Sequence, residues 1–211
     1  MMLNDTQKFI FYNLTRCCIK YQKPIGSKIL AKKLSYKLSA PSLRIYCRNM
    51  AQKGYLEKKT FFGGRLPTDK GWYFYLKNFP LKPEIKISEF KKNNKKIDEI
   101  LNDLSFLTKN IAVFYDFYDN KIKIRGLNNV FFVKEKEIVE DLFYLLENFE
   151  KIIKILKNNL NILIGEKIEQ SLTKKVSLII FKKENKIIGL LGKKVNYYHT
   201  NLVLLNKLKN F

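Results

Sequence analysis

The chain has 211 residues, 46% of them apolar, enough to build one large or two small cores and too apolar for a disordered segment. Its 41 Lys+Arg against 19 Asp+Glu give a formal net charge of +22, which asks for a partner carrying many negative charges. No apolar run approaches the ~18 residues of a membrane span, and the N-terminus MMLNDTQKF lacks the basic-then-apolar order of a secretory signal.

Cys17, Cys18 and Cys47 make neither a disulfide framework nor a zinc spacing, so reduced thiols packed as small apolar groups, in a cytoplasmic protein, are expected. Lysine is abundant throughout, so its distribution says more than its total. Residues 1–80 hold 16 Lys+Arg against 3 Asp+Glu, a net of +13, whereas residues 81–211 hold 25 against 16, a net of +9 over a longer stretch. The first part carries a nucleic-acid footprint.

In chain order, helical spacing of Ile10, Leu14, Cys17, Cys18 and Tyr21 predicts a first helix from about Asp5 to Gln22. Lys23-Pro24-Ile25-Gly26 reads as a turn, and Ser27 as the cap of a short helix KILAKKL. Ser39-Ala40-Pro41 opens a third helix, since proline suits a first helical turn, and Gly54 stops it. Leu43, Cys47 and Met50 form its packing face. The opposite face holds Ile45, Arg48 and Gln52, flanked by Ser42, Arg44 and Asn49. Arginine pairs with guanine edges and asparagine or glutamine with adenine, so this face fits reading of a major groove, though an ordinary solvated face has the same composition.

A hairpin follows: Tyr55 to Lys58, a turn from Thr60 to Gly64, and Arg65 to Pro67. Glycines permit the tight turn, Arg65 beside them suits a narrow minor groove, and Lys58 and Lys59 stand where backbone phosphates would pass. Thr68 caps a last helix, DKGWYFYLKNF, whose Trp72, Phe74, Tyr75 and Phe79 close a small core. Three helices with a basic hairpin outline a winged helix-turn-helix domain over residues 1–79, with a linker at 80–95 marked by Pro80 and Pro83.

Residues 96–211 read as α/β (α+β): a helix from about Glu89 to Lys109, strands at Ile111 to Tyr118 and Lys121 to Arg125, and a long amphipathic helix from Glu135 to Lys157. Strands near Asn161 to Ile164, Val176 to Lys182 and Ile187 to Leu191, and a helix from Asn196 to Lys209, complete a small antiparallel sheet covered by helices on one side. The long helices are candidates for a dimer face. Catalytic signatures are lacking. His199 has no second histidine and no acid nearby in sequence, there is no phosphate-cradling loop, and the acids Asp98-Glu99 and Glu140-Asp141 fall on polar helix faces. No enzyme, metal site or cofactor is expected.

Four segments are similar to the bacterial heat-inducible transcription repressor HrcA family. Pro24-Ile25-Gly26-Ser27-Lys28-Ile29-Leu30 resembles its PVGSKTL segment, and Ser42-Leu43-Arg44 its T-I-R. Gly54-Tyr55-Leu56-Glu57 resembles G-[FY]-[IL]-E, and Gly64 to Trp72, GRLPTDKGW, resembles G-R-[VI]-P-[TS]-x-K-G-Y. Farther on, Ile164-Gly165-Glu166, Ser177-Leu178-Ile179 and Gly192 to Tyr197 look like closing segments of the family's GAF-like domain.

The resemblance implies a winged helix joined to a GAF-like α/β domain. It implies a homodimer that binds an inverted-repeat operator in double-stranded DNA before chaperone genes and represses them, with a GroEL-type chaperonin maintaining the active form. The chain departs from the family at Ile45-Tyr46-Cys47-Arg48, where the family has N-E-M-A, and at Gly192-Lys193-Lys194-Val195, where it has G-P-x-R. It is also short: against the family, the dimerising insertion and much of the GAF-like sheet are expected to be missing between about Val113 and Lys121, which leaves the helices at 135–157 and 196–209 to dimerise. A non-specific or architectural nucleic-acid-binding protein is the alternative that the lysine excess and the altered helix allow.

Overall fold

The computed structural model describes residues 2–58, 63–80, 82–87, 90, 95–154, 156, 157, 159–165 and 175–208. The chain divides into two units, residues 1–80 and 81–211. Lys59 and most of the hairpin turn lie outside the described residues.

In the first unit, α1 (Asp5–Tyr21) begins with a reciprocal cap: the Gln7 amide N–H donates to Asn4 Oδ1 at 2.8 Å and the Asn4 N–H to Gln7 Oε1 at 3.3 Å. The helix buries Ile10, Phe11, Leu14, Cys17, Cys18 and Ile19. Tyr21, expected on that face, is exposed. The helix ends at Gln22 in the left-handed region, and the Tyr21 ring lies under the Lys20 ammonium at 5.4 Å. Ser27 is the first residue of α2 (Ser27–Lys33) rather than its cap; extended Gly26 holds the cap position. The preceding segment is more than a turn. Ile25 and Arg65 exchange both backbone hydrogen bonds at 2.9 Å, which adds a third strand position to the hairpin.

Ser39 caps α3 (Ala40–Gln52), its oxygen accepting from the Ser42 N–H at 3.2 Å, and Gly54 at φ +77 turns the chain away. The strands β1 (Leu56–Lys58) and β2 (Arg65–Pro67) pair antiparallel, with Lys58 opposite Arg65. The Thr68 hydroxyl accepts from the Gly71 N–H at 3.1 Å to cap α4 (Asp69–Asn78) and donates to the Gly54 carbonyl at 2.6 Å, tying α4 to the exit of α3. Trp72 and Tyr75 are fully buried, and Phe74 meets Phe11 edge-on at 5.5 Å.

The second unit holds a five-stranded antiparallel sheet of order β4-β3-β7-β6-β5. Its strands are β3 (Ile111–Asp116), β4 (Lys121–Arg125), β5 (Asn159–Ile164), β6 (Val176–Lys183) and β7 (Lys186–Lys193). Helices cover both faces, not one. Ile111, Val113 and Tyr115 with Val176, Leu178 and Ile180 pack against α6 (Lys136–Glu147) and α7 (Phe149–Lys154). The alternate residues Ala112, Phe114, Ile179, Ile188 and Leu190 lie toward α5 (Ile97–Thr108) and α8 (Tyr198–Lys207). The single helix expected over 135–157 is broken at Asn148, whose amide bonds back to the Tyr144 carbonyl at 3.0 Å.

Asn110 and Asn196 exchange amide hydrogen bonds at 3.2 and 3.1 Å beside Gly192, where a Cβ would stand 1.9 Å from Asn110 Oδ1. The glycine is required by that contact. α8, expected to offer a dimer face, is buried in its own unit along most of its length. Residues 82–87, expected within a linker, are bonded to α8 through Glu84. That carboxylate accepts from the N–H groups of His199 (3.2 Å) and Thr200 (2.8 Å) and from the Thr200 hydroxyl (2.9 Å). The acid missing from the surroundings of His199 in sequence is therefore present in space, 3.9 Å from its Nδ1.

Two glycines separate steric need from local preference. At Gly71 a Cβ would stand 2.2 Å from the Tyr55 carbonyl oxygen, whereas at Gly26 nothing lies within 4 Å. Gly71→Ala should destabilise the protein by about 1–3 kcal/mol despite alanine's better helix propensity. Gly26→Ala should cost less than about 1 kcal/mol. Urea or thermal melts check the order, and equal melts for the two variants would contradict it.

Candidate nucleic-acid interface

α3 is anchored by Leu43, Cys47 and Met50, which are 0%, 5% and 0% exposed. A helix held by one face presents the other, and Arg44, Ile45, Arg48, Asn49 and Gln52 are all exposed there. Ile45 is 58% exposed, an uncovered aliphatic group between two guanidinium-bearing turns. Ser42 is half-buried, with its hydroxyl 2.9 Å from Ser39 Oγ, so it serves the helix cap. Arg44 Nε reaches back to the Ala40 carbonyl at 3.4 Å, which holds its stem along the helix.

Lys58 is exposed at the end of β1. Arg65 opens β2. Its N–H and carbonyl both bond to Ile25 with Lys58 opposite on the other side, it is half-buried, and its positive charge acts on the Cys47 thiol of α3. Gly64 beside it has no room for a side chain, since a Cβ there would lie 2.5 Å from the Ile25 carbonyl carbon.

Two lysines of this unit are engaged in contacts within it. Lys53 Nζ donates to Gln7 Oε1 at 2.9 Å and to the Met2 carbonyl at 3.3 Å, so it joins α1 to the end of α3. Lys70 Nζ donates to the Lys53 carbonyl at 2.8 Å and lies 4.4 Å from the centre of the Tyr55 ring. By contrast Lys28, Lys32 and Lys33 of α2, which packs on α3, and Lys37 in the following turn are exposed. They extend the basic surface beyond the residues picked out by spacing. The sequence signal for them is the absence of any acidic residue between Asp5 and Glu57.

The three thiols are buried and free. Burial pushes Cys47 up to about 11, against the opposing pull of Arg65. Burial also raises Cys18, with repulsion from Cys17 added, and raises Cys17 against Lys33 and Lys20. Among the described residues no group of three or more His, Cys, Asp and Glu is placed to hold a metal ion, and no helix is long and apolar enough to cross a membrane.

A four-helix unit with a pinned hairpin and a basic outer face, followed by a helix-covered antiparallel sheet, defines an α+β protein of two units. The family model for the HrcA protein C-terminal domain matches residues 81–200, and the chain belongs to the HrcA family. Three proteins described as heat-inducible transcription repressor HrcA are similar to it. That of Acetivibrio thermocellus is 29% identical over 113 residues, 54% of this chain and 32% of its own length. That of Caldanaerobacter subterraneus is 33% identical over 135 residues, 58% and 39%. That of Thermoanaerobacter sp. strain X514 is 32% identical over 188 residues, 80% and 54%.

The chain thus spans about half or less of the length of these relatives. A crystal structure of a hypothetical protein at 2.2 Å resolution matches with a TM-score of 0.82 at 15% identity, covering 99% of this chain and 97% of that one, a likeness of fold.

Protonated, buried thiols are poor nucleophiles. The native protein should leave all three cysteines unreacted toward an aromatic disulfide reagent on the time scale in which the denatured chain reacts fully. Equal native and denatured rates would contradict the packing of α1 against α3.

Proposed function

We propose that this protein is a sequence-specific DNA-binding transcriptional repressor of heat-shock genes, acting as a homodimer on an inverted-repeat operator. Its first unit is a winged helix whose α3 enters the major groove. One observation carries the reading: α3 is anchored on one side while Arg44, Ile45, Arg48, Asn49 and Gln52 stand exposed together on the other. Guanidinium groups suit guanine edges, the two amides suit adenine, and Ile45 suits a thymine methyl, so the face holds complementary chemistry for several base pairs. Lys58, Lys59 and the α2 lysines supply phosphate contacts that add affinity without sequence preference. Arg65, close to α3, steadies the hairpin beside it and adds charge to the same face.

Family membership supports the repressor role, since the relatives carry that name. It also motivates the second unit as a reduced GAF-like regulatory and dimerisation domain, a GroEL-type chaperonin as the partner that maintains the active form, and a cytoplasmic setting beside the DNA. With α8 buried in its own unit, α6 and α7 remain the helices offered to a second copy. No step needs a cofactor or a catalytic group.

The test is binding to a palindromic duplex drawn from sites upstream of chaperone genes and to a scrambled duplex, across a salt series. The wild-type protein should prefer the palindrome strongly at physiological salt. Arg48→Ala and Asn49→Ala should each lose about 1–3 kcal/mol on the palindrome and little on the scrambled duplex. Lys58→Ala and Arg65→Ala should weaken both alike, Lys58→Ala also lowering the salt slope by about 1. Wild-type binding that falls with salt and ignores sequence would contradict the reading and favour an architectural role.

A further inference from the structure

The turn between α2 and α3 puts an aromatic ring where the backbone favours glycine. Ser35 and Tyr36 follow one another in the left-handed region, at φ 49 and φ 56. Glycine adopts that conformation freely, whereas a bulky side chain adopts it under strain. Backbone hydrogen bonds enforce it: the N–H groups of Leu34, Ser35, Tyr36 and Lys37 donate to the carbonyls of Leu30 (3.0 Å), Lys32 (3.1 Å), Ala31 (2.9 Å) and Leu34 (3.1 Å). The strained pair thereby closes the end of α2. The Tyr36 side chain returns little to the fold. It is 71% exposed, and among the described residues it has no hydrogen bond or ring contact. Strain kept at a residue outside the core points to a use outside the fold.

The surroundings define that use. Lys32 and Lys33 end α2, Lys37 follows Tyr36, and all three are exposed, as is Lys28 one turn earlier. No acidic residue lies between Asp5 and Glu57, so nothing in this stretch offsets their charge. A flat apolar ring with a hydroxyl donor, set among lysines, matches a sugar–phosphate backbone. The ring covers the sugar, and the hydroxyl donates to a phosphate oxygen, a bond strengthened by the charge of its acceptor. When a helix-turn-helix docks, its first helix crosses the backbone and its second enters the major groove. Residue 36 lies between the two, three residues before the Ser39 cap of α3, which places it at the strand bordering the groove.

We propose that Tyr36 binds a DNA phosphate at the edge of the groove that α3 enters, and so sets the register in which α3 meets the bases. The proposal rests on the reading of the first unit as a DNA-binding winged helix. Its chemistry differs from that of the neighbouring lysines. A neutral phenol adds affinity without neutralising a phosphate, so its contribution is independent of salt.

The test uses the full chain, a palindromic duplex, a scrambled duplex, and a set of palindromes each carrying one neutral methylphosphonate per half-site. Tyr36→Phe should bind the palindrome at least about fivefold more weakly, with the salt slope unchanged. A methylphosphonate at one phosphate bordering the groove should cost the wild-type protein a similar factor and cost Tyr36→Phe less than about twofold, while substitutions elsewhere cost both proteins alike. Tyr36→Gly removes the strain together with the ring. It should melt no lower than wild type, yet bind at least as weakly as Tyr36→Phe. Tyr118→Phe, at an 86% exposed tyrosine between β3 and β4, is the control and should bind as wild type.

Tyr36→Phe binding the palindrome as tightly as wild type overturns the inference and leaves operator binding intact. So does a loss without coupling to any single phosphate, or a loss of base preference alone, which would put the ring on base edges. Tyr36→Gly melting well below wild type shows the ring serving the fold and also overturns it. A wild-type protein that binds palindrome and scrambled duplex alike overturns the operator reading instead. The Tyr36 contact is then decided on the scrambled duplex, where Tyr36→Phe must still weaken binding at an unchanged salt slope. A wild-type protein that binds neither duplex overturns both.

Discussion

The backbone of Arg65 is the constraint on which the first unit depends. It sits on the middle strand position, with Lys58 opposite on one side and both Ile25 hydrogen bonds on the other, and its carbonyl also accepts from the Cys18 thiol at 3.4 Å. Three sequence-distant segments therefore converge on one residue: the end of α1, the entry to α2 and the return strand of the hairpin. That convergence requires Gly64 to lack a side chain, because Ile25 occupies the space a Cβ would take. With the hairpin pinned, Leu43, Cys47 and Met50 close onto a fixed surface and α3 has a single outward face. The site is a consequence of packing behind it, and an error of one residue in the register of β2 would turn Leu66 outward and Arg65 inward.

Charge then divides by use. Lys53 and Lys70 are spent inside the unit, one joining α1 to α3 and the other bonded to the exit of α3 and set over Tyr55. Arg44, Arg48 and the lysines of α2 face solvent in a unit with three acids. So many like charges on one surface repel one another, and a polyanion relieves that repulsion while releasing its own counterions. In the second unit Asp98 on α5 meets both Lys123 and Arg125 of the edge strand β4, which holds its carboxyl below the usual range, first through the hydrogen bond from Lys123. Lysine and arginine along an edge strand also discourage pairing with another chain.

What was legible in the sequence was local chemistry. Ser39 before Ala40-Pro41, Thr68 three residues before Gly71 and the stop at Gly54 each act within one helical turn, so α3, α4 and the hairpin ends fall where spacing puts them. Long-range partners were not legible. Glu84 meets His199 across 115 residues of chain, and nothing near either residue in sequence announces the other. Ile25 was hidden because a single bridge residue leaves no alternating pattern. The two-sided covering of the sheet did have a signal. Leu178 to Phe181 is a continuous apolar run, as strands buried on both faces are. Asn148 interrupts a helix pattern whose apolar spacing continues on either side, and the competing side-chain bond to Tyr144 is what decided it.

The central claim is that the outward face of α3 touches base edges in a major groove. Site-specific photo-crosslinking addresses it directly, with a benzophenone side chain replacing Ile45 on α3 and, as the control, Phe106 on α5, which is 69% exposed. The account predicts crosslinks from position 45 to bases within each half of a palindromic duplex, at positions shared by both strands through the two-fold axis, and none from position 106. Crosslinks from position 106 but not 45, or crosslinks from 45 scattered evenly along any duplex, would contradict it.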